Sequence, residues 1–213
     1  MQTKNRVIFT VVILLLAFFV GGYYYKNMNN KNVTKISKEK MALLQRPTSL
    51  VIGNKDAKIQ LVEFFDPACG SCAYYHPKVK KLLEEKKDDI KLVVRYAPFH
   101  KNSNYAVKML EGAREQALFE QTLTFMFNTQ SKWVENHTVN PQKLWRLLSN
   151  VKGLDMEKLG VFMNSNKADK IIEQDILDGE KLEVHQTPSF FVNGQPLIDF
   201  GWDNLLKLID SNL

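Results

Sequence analysis

Cysteine is scarce in this sequence: 213 residues hold two, Cys69 and Cys72. Neither lies near the apolar N-terminal stretch, which excludes a lipid-modified cysteine there. Zinc ligands are scarce as well. A zinc site takes about four ligands, usually as two C-x-x-C pairs or one pair with spaced histidines. A single pair is present, and His76, His100, His137 and His185 are scattered. His76, the nearest, directly precedes Pro77 and has no partner at ligand spacing. The chain has no glycine-rich phosphate loop, nucleotide fingerprint or internal repeat. The expectation is no metal and no cofactor. A basic excess is also missing from most of the chain. Residues 1–46 hold eight Lys/Arg against one Glu, whereas the remaining 167 residues hold 21 against 22 acidic groups. The sequence pI of about 9.1 therefore belongs to the N-terminal tail and gives no argument for a nucleic-acid partner. That basic tail suits lipid headgroups, and equally a solvated linker.

One long apolar run is present, and it is N-terminal. Lys4 and Arg6 precede an uncharged stretch from Val7 to Tyr25, and Lys26 ends it. The densest part, Val7 to Val20, has the length of a signal peptide's hydrophobic region. Counted through Tyr23-Tyr24-Tyr25, the stretch is long enough to cross a bilayer, with aromatic rings suited to the interface. Ala17-Phe18-Phe19 ends in a bulky residue, and Val20-Gly21-Gly22 is a weak cleavage site. Residues 1–25 are therefore expected to be a single-pass signal anchor with a cytoplasmic N-terminus. Cleavage would instead release the rest as a secreted or periplasmic protein. Either outcome exports it. Residues 26–46 read as a basic tether, with one short helix over Lys35–Gln45, and 47–213 as one domain.

Within that domain, Leu61-Val62-Glu63-Phe64-Phe65-Asp66 is an apolar, aromatic-rich run that breaks at Pro67. It reads as a buried strand. Cys69-Gly70-Ser71-Cys72 follows, and then an amphipathic helix with Val79, Leu82 and Leu83 on one side and Lys78, Lys80 and Lys81 outside. A cysteine at a helix start faces unsatisfied N–H groups and partial positive charge. Its thiolate is stabilised there, and the thiolate is both nucleophile and good leaving group in disulfide exchange. Cys72, one turn on, can close the pair into a ring. A purely structural bridge is the competing reading, but such bridges usually close longer loops. The site reads as redox chemistry.

The rest of the chain sets the frame. Leu50-Val51-Ile52 is a short strand, turned at Gly53 to Asp56 into a strand over Ile59–Phe65. Lys91 to Tyr96 is another, and strand, helix, strand implies a right-handed parallel unit. From His100 to His185 the period is helical. Ala106, Leu110, Ala113 and Ala117 make one stripe, continued by aromatics to Phe127. Asn140-Pro141 starts a helix carrying Leu144, Leu147, Leu148 and Val151, ended by Gly153. Asp155 caps the next, and Ala168, Ile171, Ile172 and Ile176 begin a last one reaching toward Leu182. Trp133 and Trp145 read as plain core. Strand character returns at Ser189–Val192, with Asn193-Gly194 as a tight turn, Gln195 to Ile198 as the return strand and a helix from Trp202. The order is β-α-β, a helical block, then β-β-α.

Two stretches now carry a resemblance: Val62–Asp66 through Cys69-Gly70-Ser71-Cys72, and Thr187-Pro188-Ser189-Phe190-Phe191-Val192-Asn193-Gly194. Together, in this order, they resemble the DsbA-like thiol–disulfide oxidoreductases of the thioredoxin superfamily over nearly all of 47–213. The resemblance implies an α/β thioredoxin fold with a helical subdomain inserted at about 100–185. It implies Cys69 as exposed nucleophile and Cys72 as its partner. Pro188 matches the family's cis-proline and, with Thr187, a substrate-binding position. Glu63 matches the buried acid beneath the disulfide, although strand pattern alone reads it as an edge-exposed glutamate. A helix break at Pro77 also fits. The dipeptide Gly70-Ser71 lacks the histidine of strongly oxidising members, which leaves the direction of reaction open. Implied are thiol- or disulfide-bearing exported polypeptides as substrates and a DsbB-like, quinone-linked membrane partner. The implied place is the extracytoplasmic, periplasmic side of a bacterial cytoplasmic membrane. The alternatives are an isomerase or reductase using the same site, and a membrane-tethered binding or assembly factor using the fold as a recognition surface.

Overall fold

A computed structural model describes residues 13–22 and 35–213. The chain divides into two units, Met1–Thr34 and Lys35–Leu213. In the first, residues 13–22 are helical (α1), and Ile13–Leu16 and Phe18–Val20 leave their side chains exposed. Among the described residues no helix is long and apolar enough to cross a membrane. Residues 1–12 and 23–25 of the expected anchor, and 26–34 of the expected tether, lie outside the described residues.

The second unit is built on a five-stranded sheet in the order β1-β3-β2-β6-β7. The strands are β1 (Leu50–Gly53), β2 (Ile59–Phe65), β3 (Ile90–Tyr96), β6 (Ser189–Val192) and β7 (Gln195–Pro196). β2 and β3 run parallel, as the connecting helix α3 (Gly70–Glu85) requires, and every other pairing is antiparallel. Between β3 and β6 the chain inserts α4 (Ser103–Arg114), α5 (Phe119–Asn128), a small hairpin β4–β5 (Val134–Glu135, Thr138–Val139), α6 (Pro141–Leu148), α7 (Met156–Met163) and α8 (Lys167–Lys181). The chain ends in α9 (Trp202–Asp210). This is the thioredoxin fold with a helical insertion.

The period of two along each strand sorts side chains onto two faces. From β2, Ile59, Leu61 and Phe65 enter the main core beside Cys69, Cys72, Val79 and the helices of the insertion. Glu63 occupies the same face by register, between Val94 of β3 and Phe190 of β6. The other face carries Val62, Phe64, Val93 and Phe191 into a smaller core with Leu44, Leu182 and Val184.

That second core draws in the end of the expected tether. The short helix lies at Lys38–Leu44 (α2), Leu44 is fully buried, and Ile36 N–H donates to Gly194 C=O at 3.0 Å. Gly194 (φ +80°) follows Asn193 (φ 46°) in the β6–β7 turn, the two positive φ values of the favoured hairpin turn. A Cβ on Gly194 would be strained at this φ and would meet Met41 Sδ of α2 at 2.2 Å, so a larger residue would push the Met41 side chain aside. Behind α2, Arg95 is wholly buried. Its Nε donates to Asp175 at 2.9 Å, its Nη2 to Asp178 at 2.6 Å and its Nη1 to Leu43 C=O. Arg46 grips the same Asp178 through two hydrogen bonds of 2.6 and 2.7 Å.

Several sequence expectations are corrected. Helix α3 runs unbroken through Pro77, which deprives only the Ala73 carbonyl of an N–H partner. Ala117 leaves the α4 stripe in a left-handed turn (φ 59°) and is exposed. The buried side of α8 is Ala168, Ile172, Asp175, Asp178 and Gly179, because Arg95 recruits the two aspartates; Ile176 is 38% exposed. The β4–β5 hairpin interrupts a block that reads as wholly helical. The return strand is two residues long, with Ile198 exposed.

Candidate active site

Cys69 closes the turn after β2 as the N-cap of α3, in extended backbone (φ −79°, ψ 123°). It makes no capping hydrogen bond with its side chain, so the sulfur is free for other partners. The turn is fastened by Asp66, which is fully buried and accepts four hydrogen bonds. Oδ1 takes Ala68 N–H at 2.8 Å and the Ser103 hydroxyl; Oδ2 takes His100 N–H at 2.9 Å and His100 Nδ1 at 2.8 Å. From the insertion, Gln130 Nε2 donates to the carbonyls of Pro67 (2.9 Å) and Cys69 (3.1 Å).

The two cysteines are not joined in a disulfide here, and the structure ranks them. Cys69, expected to be exposed, is 7% open and Cys72 is 1% open, so Cys69 is the one a substrate can reach. The Cys69 thiol is lowered to about 5, chiefly by the hydrogen bond from Cys72 against the opposing effect of burial. The Thr187 side chain and the N–H groups of Cys72 and Ser71 add to it. Cys72 is pushed well above its ordinary value, first by burial and then by donating to Cys69. One sulfur is thus held as a thiolate and the other as a thiol at neutral pH.

Thr187 and Pro188 bracket the other side. The Thr187–Pro188 bond is cis, and the Cys69 thiol lies 3.2 Å from Thr187 C=O. Glu63 is 9% exposed rather than at an edge, because β2 is the central strand. Burial, and then the nearby Cys69 charge, raises its carboxyl to about 8. It therefore carries its proton at neutral pH. Glu63 also lines an apolar cavity of about 370 Å³ with Phe65, His76, Leu83, Leu123 and Phe127. His76 bonds Thr124 at 2.9 Å there, and burial lowers its imidazole to about 4. The structure thus brings Cys69, Cys72, Glu63, Gly70, Ser71, Thr187 and Pro188 to one end of the sheet. Sequence reasoning missed Asp66, His100 and Gln130 beside them; the short polar residue directly before Pro67 was the available signal for Asp66. Among the described residues no three His, Cys, Asp or Glu side chains converge as a metal site.

Comparison with known proteins agrees with this geometry. A Rickettsia typhi protein named as a protein-disulfide oxidoreductase is 29% identical over 168 residues, 77% of this chain and 62% of that one. A Herminiimonas arsenicoxydans protein named as the Na(+)/H(+) antiporter NhaA is 30% identical over 145 residues, 68% of this chain but 22% of that one. The chain therefore spans less than two thirds of the length of these curated relatives. Among solved structures, a thioredoxin-like oxidoreductase from Silicibacter pomeroyi superposes with a TM-score of 0.69 at 25% identity, covering 83% of this chain and 96% of that one. BdbD from Bacillus subtilis superposes at 0.68 and 22% identity, covering 84% and 95%. The thioredoxin family model matches residues 45–211, so the chain belongs to the thioredoxin family and has the fold of its DsbA-like members.

Proposed function

We propose that this chain is an extracytoplasmic protein thiol–disulfide oxidoreductase that forms disulfides in exported polypeptides through Cys69 and Cys72. The observation that carries the reading is the split pair: Cys69 drawn down to about 5 and Cys72 pushed up, one turn apart at a helix start. A stabilised Cys69 thiolate favours the reduced protein, which makes its disulfide a good oxidant.

The cycle starts from the Cys69–Cys72 disulfide. A substrate thiolate attacks Cys69 Sγ, the Cys69–Cys72 bond breaks, and Cys72 leaves with the electron pair. Cys72 holds its proton strongly, and Glu63, protonated up to about 8, supplies it from the same face of the sheet. A second substrate thiolate then attacks the substrate sulfur of the mixed disulfide and expels Cys69 as its stable thiolate. The substrate loses two electrons and two protons; the protein keeps both electrons and one proton, and the other proton goes to solvent. A DsbB-like, quinone-linked membrane partner would take the electrons and restore the disulfide. Thr187, whose carbonyl faces Cys69, and Pro188, which offers no N–H, would receive the substrate backbone.

The exposed apolar side chains of residues 13–16 and 18–20 and the basic residues around them support the reading of a single-pass anchor, on which the domain would lie on the periplasmic side of a bacterial cytoplasmic membrane. Lys35–Arg46 belong to the domain's own unit, which supports reading the tether as the stretch before Lys35. Gly70-Ser71, without a cation between the cysteines, favours the isomerase or reductase as second reading. Insulin-reduction and thiol-oxidation assays on the full chain test the proposal: activity is expected, and Cys69→Ala abolishes it. Activity surviving that change would leave a binding or assembly factor. Trapping the cysteines in cells separates oxidase, mostly disulfide, from isomerase, mostly thiol.

A further inference from the structure

A cleft of about 450 Å³ opens next to the Cys69 turn. Ala68 and Gly70, the two neighbours of Cys69, form one wall, and His100, Gln130 and His137 form others. The orientation of His100 is fixed from behind. Asp66 Oδ2 accepts from His100 N–H at 2.9 Å and lies 2.8 Å from His100 Nδ1, so Nδ1 is the ring nitrogen turned to Asp66. Nε2, across the ring, has no hydrogen-bond partner among the described residues. The His100 side chain is 18% exposed, so solvent and substrate can reach it, whereas Asp66 is closed off. His137 stacks on the same ring, centroids 5.5 Å apart at 26°. It stands in the left-handed turn of the β4–β5 hairpin (φ 58°), which Trp133 anchors and Val139 N–H ties to Lys101 C=O at 3.0 Å.

A buried carboxylate that holds one imidazole nitrogen and aims the other at a nucleophile is the orienting half of a catalytic triad. The nucleophile here is not the protein's own. Cys69 already has its thiolate from Cys72 and the helix start, but a substrate cysteine reaches the site mostly as a thiol, near its ordinary value of about 8.5. We propose that His100, positioned by Asp66, is the general base for the substrate thiol, an inference that rests on the redox reading above. In the step, the substrate S–H bond breaks and its proton moves to His100 Nε2. The sulfur electron pair forms the new bond to Cys69 Sγ, and the Cys69–Cys72 pair leaves on Cys72. His100 then returns its proton to solvent. In the reductive direction the same nitrogen protonates the departing substrate sulfur. The missing cation between the cysteines and this base are thus separate devices: one would tune Cys69, the other acts on the partner.

Two thiols read the difference. The oxidised full chain in detergent is mixed with a reduced cysteine peptide, which needs a base, and with thionitrobenzoate, which arrives ionised. The ratio of the two second-order rate constants is expected to fall on the order of 100-fold in His100→Ala, and added imidazole to restore part of it. His100→Gln, which keeps a polar group against Asp66, guards against a folding defect and is expected to lower the ratio similarly. A ratio unchanged in both variants overturns the proposal while leaving the redox reading intact. A wild-type disulfide that reacts with neither thiol overturns the redox reading itself, and the base with it.

Discussion

Gln130 Nε2 lies 3.1 Å from the carbonyl oxygen of Cys69 and 2.9 Å from that of Pro67, so one amide of the helical insertion holds both ends of the turn that leads into α3. The insertion is therefore joined to the cysteine turn by a hydrogen-bond donor and not only by packing. A turn held at a distance by another element keeps its sulfur where the helix start can stabilise it.

The chemistry of that clamp gives an ordered expectation. Gln130→Ala loses the donor and should cost about 0.5–1.5 kcal/mol of stability. Gln130→Glu places a carboxylate against two carbonyls and should cost more, in both denaturant midpoint and exchange rate. An order of wild type, Ala, Glu in both measurements supports the clamp; Glu equal to wild type would remove it.

The thiol pair predicts a titration and a stability trend. Iodoacetamide alkylation of Cys69 should reach half its limiting rate near pH 5, and Cys72→Ala should move that midpoint upward, since the Cys72 hydrogen bond is the largest lowering cause. The folded value lies below the unfolded one, about 8.5. Stability from the thiolate is therefore fully present above about pH 8.5 and is lost as pH falls through about 5. The disulfide form has no such thiolate. The unfolding midpoint of the reduced chain should rise relative to the oxidised chain from pH 5 to pH 8, and a flat difference would contradict the lowered thiol.

Glu63 runs the other way. Its folded value of about 8 lies above the unfolded value of about 4.3. The fold holds its neutral form, and a cost appears as pH rises from about 4.3 to about 8. Glu63→Gln removes that cost, so the variant should equal wild type at pH 4 and exceed it at pH 8 by up to a few kcal/mol, at about 1.4 per unit. On the proposed cycle the same change removes the proton donor to Cys72 and should slow reduction of the Cys69–Cys72 disulfide on the order of tenfold or more. A variant more stable but equally fast would leave Glu63 as a buried acid without a proton-transfer role.

What the sequence displayed and what it hid follow from range. The strands, Asn140 and Asp155 as caps, and the Asn193-Gly194 turn were legible because each depends on neighbours within a few residues. The C-x-x-C pair at a helix start was legible for the same reason. Glu63 was ambiguous: period two puts it on the face of Leu61 and Phe65, but whether that face is buried depends on β2 being central, a fact fixed by β3 and β6. Asp175 and Asp178 look solvated in an otherwise ordinary helix, and partners far along the chain turn them inward: Arg95 for both, with Arg46 on Asp178. The β4–β5 hairpin was invisible because its strands are two residues long.

The buried charges under α2 make the last prediction. Asp178 sits between Arg95 and Arg46; burial pushes its carboxyl up, but hydrogen bonds from both guanidiniums hold it below the usual range. Asp175 faces Arg95 and Tyr96 N–H, and burial wins there, raising it to about 6. Removing one member of a buried pair strands the other, at about 3–5 kcal/mol. Asp178→Asn takes the shared partner from two arginines, leaving wholly buried Arg95 with Asp175 alone, and should lower the denaturant midpoint by an amount toward the lower end of that range. Asp175→Asn should cost less, because that carboxylate is the costlier one to keep charged. Arg46 is the link from α2 to Asp178, so Asp178→Asn should also release α2, seen as faster proteolysis at Lys38 and Lys40. A midpoint loss without faster cleavage would mean that Leu44 and its apolar neighbours hold the helix without the ion pair.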